Sequence, residues 1–371
     1  MSDALRVGII GVGAVARAHL EAYKNLSTVR IVCVADTNPS RLSLARQHLG
    51  VPTYSTASEM LEAAELDIAC VLTPPATHED VVRRCAAAGV HVLCEKPLAL
   101  SVEACERMIE ACRVRSVRLC YGASYRYLPA LTVAREMIQA GEIGEVLLLR
   151  EYAVGGSGPE SRNTLSFDHY PQGGPGGSGM GLCDHGIHLI DAFSWLMDSP
   201  VVKVFGRGNI SGQRQAPEYA HLEYANGALG QLLYEDGTYS ADLPHEGIFS
   251  WGDSWDTGPF EKPSRTPGQW QADPGCIQVH GTRGALRVFY YANSLFVITQ
   301  DCTRQVRVPD DPMPGNFRRQ LAAFVAAIRS GGTTPVPGEV GLDACRTLLA
   351  IYAGTGTPLP TASGPRVSSG A

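Results

Sequence analysis

A chain of 371 residues, with 44% hydrophobic, 18% charged and 7% aromatic side chains, has the composition of an ordinary globular protein and exceeds the usual size of one hydrophobic core, so two folded units are expected. The formal charge of −6, without any run of Lys or Arg, speaks against a nucleic-acid partner, and no stretch of about 18 uninterrupted apolar residues offers a membrane-spanning helix. Eleven cysteines, odd in number and lacking any C-x-x-C pair, read as buried thiols of a reducing compartment; they predict a cytoplasmic protein with no disulfide framework and no metal site.

In chain order, short apolar runs alternate with segments of helical periodicity. Arg6–Ile10, Val29–Ala35, Ile68–Leu72, His91–Cys94 and Arg118–Tyr121 read as strands; Ala14–Lys24, Pro39–Leu49, Ser58–Glu65, Thr77–Ala88 and Val102–Arg113 read as the helices between them. Strands this uniformly apolar are buried on both faces, and helical crossovers make them parallel, which predicts an α/β doubly wound sheet. Asn38 before Pro39 and Ser101 mark helix starts, and Gly50 and Gly89 mark helix ends.

A further helix over Leu128–Ala140 leads into a strand over Glu145–Tyr152, after which strand patterns dominate. We therefore divide the chain into residues 1–124 and an α+β unit over 125–371. A Gly/Pro-dense segment, Pro171–Gly181, delivers the chain into a helix over Leu182–Met197. Asn226-Gly227 joins Ala220–Tyr224 to Leu229–Glu235, and Gly281–Gly284 joins Ile277–His280 to Ala285–Tyr290, two hairpins that predict an open, mostly antiparallel sheet. Phe317, Leu321, Phe324, Val325 and Ile328 recur at helical spacing, and Leu342–Tyr352 forms a last amphipathic helix. Asp236–Gly275, with Trp251, Trp255 and Trp270, shows no clear period and is left unplaced.

The glycines that follow the first strand carry chemistry. Gly11-Val12-Gly13-Ala14-Val15-Ala16 is a G-x-G-x-x-A sequence at the opening of the first helix: Gly11 permits the tight turn, Gly13 lets a pyrophosphate approach the backbone, and Ala16 allows close helix–strand packing. The second strand ends in Asp36, about 20 residues on, where a carboxylate accepts hydrogen bonds from ribose hydroxyls. Together these predict a Rossmann domain over residues 1–124 that binds NAD(P), with Gly11, Val12, Gly13, Ala14 and Val15 around the pyrophosphate and Asp36, Thr37 and Arg41 at the adenosine end. Asp36 would repel a 2′-phosphate, so NAD is preferred over NADP, although Arg41 can screen the carboxylate or stack on adenine. Thr73, Pro74, Pro75 and His78 follow one strand and Glu95 and Lys96 the next, at the carboxyl ends where such sheets bind ligands.

The cradle, T-P-P-x-x-H at Thr73–His78, E-K-P at Glu95–Pro97, Tyr125-Arg126-Tyr127-x-Pro129, Gly141-x-Ile143-Gly144-Glu145-Val146 and Asp184-His185-Gly186-Ile187-His188-x-x-Asp191 together resemble the Gfo/Idh/MocA family, of glucose-fructose oxidoreductase and inositol dehydrogenase type. The resemblance implies two domains, the second used for substrate binding and for assembly into homodimers or homotetramers. It also implies that Lys96 holds the reacting hydroxyl or carbonyl and the nicotinamide ribose, and that Asp184 and His188, four apart on one helix face, bind substrate and move the proton. Arg126 reads as a cofactor or substrate contact or as an ordinary salt bridge; His169 and Tyr170, before the glycine loop, read as pocket residues or as exposed ones.

The function expected is NAD(P)-dependent hydride transfer at a secondary alcohol or ketone of a sugar, cyclitol or related polyol. Two alternatives remain at this level: a glycoside lyase or hydrolase that recycles tightly bound NAD, and a non-catalytic dinucleotide-binding sensor.

Overall fold

Short apolar strands build the first sheet. The computed structural model describes residues 4–156, 181–208, 217–239, 276–311, 313–354 and 357–358. Strands β1 (Leu5–Ile10), β2 (Val29–Ala35), β3 (Thr53–Tyr54), β4 (Ile68–Val71), β5 (His91–Cys94) and β6 (Leu119–Tyr121) pair in parallel in the order β3-β2-β1-β4-β5-β6. All four residues of β4 are buried, as a strand covered by helices on both faces demands. The strand order reverses between β1 and β4, so the loops leaving these two strands diverge and open a crevice at their carboxyl ends.

Helices α1 (Ala14–Tyr23), α2 (Pro39–Leu49), α3 (Ala57–Ala63), α4 (His78–Ala87) and α5 (Val102–Val114) make the crossovers. Their ends follow capping chemistry. The Asn38 side chain accepts from the Ser40 and Arg41 N–H groups with Pro39 in the first turn, the Ser101 hydroxyl accepts from Ala104, and Gly50 closes α2 in the left-handed conformation at φ +65°.

After α6 (Pro129–Gln139) comes the second sheet, from β7 (Val146–Gly156), α7 (Ile187–Met197), β8 (Val201–Arg207), β9 (Glu218–Tyr224), β10 (Leu229–Tyr239), β11 (Cys276–Gly281), β12 (Gly284–Phe289), β13 (Ser294–Thr299), β14 (Thr303–Val306) and, past α8 (Gly315–Ser330) and α9 (Gly338–Ala353), β15 (Thr357–Pro358). Its order among the described residues is β14-β13-β12-β11-β7-β10-β9-β8-β15, antiparallel except where β7 and β10 run in parallel. Both expected hairpins form, with Gly227 at φ +87° in the first turn. β8, β13 and β14 were not among the strands expected from the sequence; β14 is an edge of the described sheet and β8 and β13 each lie one strand in from an edge, where pairing to neighbours rather than a local pattern defines the strand.

The helices do not follow the division at residue 124. Phe317, Leu321 and Phe324 of α8 bury themselves in the core of the first sheet. α9 is shared: Leu342 and Cys345 pack into that core, and Leu348 and Ile351 into the core of the second sheet. The two sheets are thus clamped by one chain end, and the carboxyl ends of β5 and β6 are held against the start of α7. Segment 157–180, with His169, Tyr170 and most of the glycine loop, lies outside the described residues, as do 240–275 with the three tryptophans.

Candidate active site

At the end of β1 the chain turns on Gly11, whose φ is +89° and where a Cβ would come within 2.8 Å of the Leu72 carbonyl carbon and oxygen. Only glycine fits there. Gly13 is the N-cap of α1; among the described residues no side chain caps this helix and no acidic residue sits in its first turn, so the positive helix end is left for an anion. Val12 and Val15 flank this turn, and nothing is described of the Ala14 side chain. A Cβ on Gly13 would lie 3.7 Å from the Arg41 guanidinium, which places Arg41 beside the cradle. Asp36 is tied to the same turn: its Oδ2 accepts from the Val12 N–H at 2.8 Å and its Oδ1 from the Asn38 N–H at 2.8 Å. Thr37 is exposed next to it. The arrangement fits a dinucleotide, with room and free positive dipole at the cradle and a carboxylate held one turn away.

The two loops after β4 and β5 are buttressed against each other. Thr77 donates to the Thr73 hydroxyl at 2.8 Å, Pro74 is exposed, and Pro75 opens a short 3-10 turn that leads into α4. His78 is fully buried, its Nε2 lying 2.7 Å from the Thr73 carbonyl and its Nδ1 3.1 Å from those of Pro97 and Leu98, with the nitrogen that carries the proton donating. Burial pushes its pKa below the ordinary histidine value. His78 therefore staples the T-P-P turn to the E-K-P turn, and its ring is occupied by backbone carbonyls.

Glu95 is buried too. Its Oε1 lies 2.9 Å from Nε2 of His19 on α1, whose Nδ1 meets the Tyr23 hydroxyl at 2.7 Å, and its Oε2 accepts from the Lys96 N–H at 3.0 Å. Burial alone would raise the Glu95 pKa; the His19 hydrogen bond and the Lys96 charge outweigh it and hold the carboxyl below its ordinary range. His19 and Tyr23 escaped the sequence reading. The available signal was a His and a Tyr four apart, sharing one face of the first helix with alanines and leucine rather than with Arg17 and Glu21.

Lys96 reaches across to the second sheet. Its Nζ donates to Asp184 Oδ1 at 2.7 Å and to the Asp184 carbonyl at 2.8 Å, so residues 88 apart in sequence meet at one point. Burial works against the ammonium charge, but Asp184, with Glu95 behind it, raises the Lys96 pKa above its usual value. Asp184 sits in a π-turn, Leu182–Gly186, that opens into α7. The sequence reading expected one α-helix carrying Asp184 and His188 on a common face; the wider turn changes that spacing. Gly186 permits it, since a Cβ there would fall 2.6 Å from Leu182 Cδ2.

His188, one turn further on, is partly buried and stacks on the Tyr125 ring at 4.1 Å and 6° between planes. Burial, followed by the charges of Lys96 and His185, depresses its pKa well below the ordinary histidine value of 6.5. Asp184 is engaged by Lys96, and the charge of that cation opposes protonation of the His188 ring. Arg126, in the turn after β6, forms a two-pronged pair with the buried Asp191, Nε to Oδ2 at 2.9 Å and Nη2 to Oδ1 at 2.6 Å. Its charge is matched inside the protein, and it anchors α7 to the first sheet.

Residues 5–123 match the profile of an oxidoreductase family with an NAD-binding Rossmann fold, and residues 135–357 that of the same family's C-terminal alpha/beta domain. Rhizopine catabolism protein MocA of Rhizobium meliloti is 33% identical over 197 residues, 52% of this chain and 56% of that protein, so the match spans little more than half of either. Inositol 2-dehydrogenase 2 of Paenarthrobacter aurescens is 27% identical over 368 residues, covering 94% of this chain and 95% of that one. The crystal structure of aldose-aldose oxidoreductase from Caulobacter crescentus superposes with a TM-score of 0.76 over 96% of this chain and 100% of that one, at 20% identity, a likeness of fold. No helix among the described residues is long and apolar enough to cross a membrane. With both profiles matched in order over most of its length, and with the cradle and paired sheets those profiles describe, the chain belongs to the Gfo/Idh/MocA family of NAD-binding oxidoreductases.

Proposed function

We propose that the protein is an NAD-dependent dehydrogenase or reductase acting on a secondary alcohol or ketone of a polyhydroxylated substrate. The observation that carries this reading is the Lys96 ammonium bound to Asp184 with His188 within its field, at the carboxyl ends of the strands that bear the cradle. Bound NAD supplies the hydride acceptor or donor at such a site. The chain's own residues handle the proton. His188, depressed in pKa, is neutral near pH 7 and is the base that takes the proton of a substrate hydroxyl at a ring nitrogen; Lys96, held charged by Asp184, stabilises the oxygen as it gains negative charge. In the reducing direction His188 returns the proton.

The test is to denature the purified protein, assay the released nicotinamide, and screen for NADH formation against polyols and glycosides. NADH formation that depends on an added polyol supports the reading. Co-purified NAD with glycoside cleavage and no net NADH would replace it with a redox-recycling lyase or hydrolase, and absence of both would leave only a sensor.

NAD is the preferred cofactor because Asp36 is fixed by two backbone N–H groups where a 2′-phosphate would meet its charge. Each oxygen keeps a lone pair for a ribose hydroxyl. Asp36→Ala is expected to lower the NAD over NADP ratio of kcat/KM by about 10- to 100-fold, the worth of one hydrogen bond to a charged group. Equal use of both cofactors by the unaltered protein would refute this assignment.

The pH profile follows from the same geometry. The base must be unprotonated, so kcat/KM for alcohol oxidation falls only as pH drops through the depressed His188 pKa, below the ordinary 6.5. The Lys96 charge is lost only above its ordinary 10.5, so the plateau spans neutral and mildly alkaline pH. An acid limb centred above 6.5 would remove His188 as the base.

A further inference from the structure

Behind His188 lies a set of buried polar side chains that the chemistry above does not use. Glu151, on the central strand β7, is 1% exposed; its Oε1 accepts from the Tyr290 hydroxyl at 2.5 Å, and its Oε2 has no hydrogen-bond partner among the described residues. The Tyr290 hydroxyl also lies 3.2 Å from Nε2 of His185, the residue next to Asp184 in the π-turn. Nδ1 of His185 lies 3.4 Å from the Tyr291 hydroxyl, which bonds to the Tyr125 hydroxyl. Tyr125 carries the ring on which His188 is stacked.

With Glu151 ionised, the proton positions follow one from another. Tyr290 donates to the carboxylate and so accepts from His185 Nε2–H. A neutral His185 then offers Nδ1 as an acceptor to Tyr291, which in turn accepts from Tyr125. One carboxylate thereby sets the tautomer of His185 and the direction of every bond out to Tyr125. Such a buried network is costly where apolar packing would fill the same space, and it is rigid when its members are mutually satisfied. Among the described residues, no side chain hydrogen-bonds the ring of His188, so its orientation depends on the stack against Tyr125.

We propose that Glu151, Tyr290, His185, Tyr291 and Tyr125 form a positioning chain that holds the Tyr125 ring, and through it the His188 imidazole, in the orientation needed for proton transfer, with His185 as the central link. This rests on His188 being the acid–base group. Neighbours in sequence do not share a helix face, so Asp184 meets Lys96 while His185, beside it in the π-turn, meets the tyrosines.

The full-length protein labelled at its histidine rings tests this by NMR, with Val114→Ala, an exposed site on α5, as the measure of background change. Tyr291→Phe removes one hydroxyl and Glu151→Gln removes the anchoring charge. Both are expected to shift the ring signals of His188 as well as His185. In turnover with the best polyol of the screen, Tyr291→Phe should lower kcat about 10-fold, part of the roughly 10²–10⁴ that acid–base catalysis supplies, with the KM for NAD little changed. His188 signals unmoved in Tyr291→Phe overturn the proposal, even if Glu151→Gln fails to fold. A drop confined to KM, with kcat intact, also overturns it. His188→Asn, assayed in parallel, tests the underlying assignment separately: full turnover there removes His188 as the acid–base group, whatever the ring signals of the tyrosine variant show.

Discussion

Lys96→Ala is expected to lower turnover by about 10³-fold, within the range that a preorganised donor or acid–base group supplies, while NAD affinity stays within a few-fold of the unaltered protein. The separation follows from where the lysine sits. Its ammonium is committed to Asp184 on the other sheet, whereas the pyrophosphate cradle is built by Gly11, Gly13 and the start of α1. Removing the cation also leaves the Asp184 carboxylate unmatched beside the base, so the loss falls on kcat more than on cofactor binding. Lys96→Arg should not restore activity, because a planar guanidinium cannot reproduce a point charge that donates at once to Asp184 Oδ1 and to its carbonyl. Steady-state kinetics with a nicotinamide fluorescence titration decide the matter. Turnover within about threefold of the unaltered enzyme would take Lys96 out of the chemistry.

Glu95→Ala is expected to destabilise the fold by about 1–3 kcal/mol, the usual cost of leaving buried hydrogen-bonding groups without their partner. Here the deletion strands His19 Nε2 and the Lys96 N–H in a site closed to water. The carboxyl pKa is depressed in the folded state, so its contribution is present in full above the unfolded carboxyl value, ordinarily 4.5, and is lost as pH falls through the lower folded value. Denaturant unfolding at pH 7 and again at acid pH should therefore show the gap between variant and parent narrowing as the solution is acidified. A gap below about 1 kcal/mol at pH 7 would make the Glu95 pair an ordinary surface-strength contact. Because α1 carries both the cradle and His19, the same pair ties the helix that receives the pyrophosphate to the loop that carries Lys96.

Much of this was legible in the residues before any coordinates. Apolar runs separated by capped helices specify the first sheet, since periodicity, Asn38, Ser101 and Gly50 act within a few residues of themselves. The Gly11 turn is as local in its positive φ, while its approach to Leu72, just after another strand, adds a tertiary reason for glycine. The outer strands β8, β13 and β14 were harder to see because such strands are defined by what they pair with. The site was legible as a list of residues and much less so as an arrangement. Arg126 and His78 belong to the motifs, yet the fold turns one onto Asp191 and the other onto three carbonyls. Glu151 gave a faint sign, as a carboxylate in the middle of an apolar strand.

The sequence by itself determined the βα alternation and the phosphate cradle with its acidic partner at Asp36, because each depends on covalent geometry and on contacts a turn or a strand away; the candidates Lys96, Asp184 and His188 came from the family resemblance of their motifs. Only the tertiary structure decided which charges meet. Lys96 claims Asp184 across 88 residues, His19 claims Glu95 across 76, α8 and α9 cross back to close the first core, and the packing of the second sheet sets Tyr290 and Tyr291 against His185. The physical reason is one of range: dihedral preferences and caps are settled locally, whereas pairing of buried charges is settled by which surfaces the packed cores bring together and keep from water.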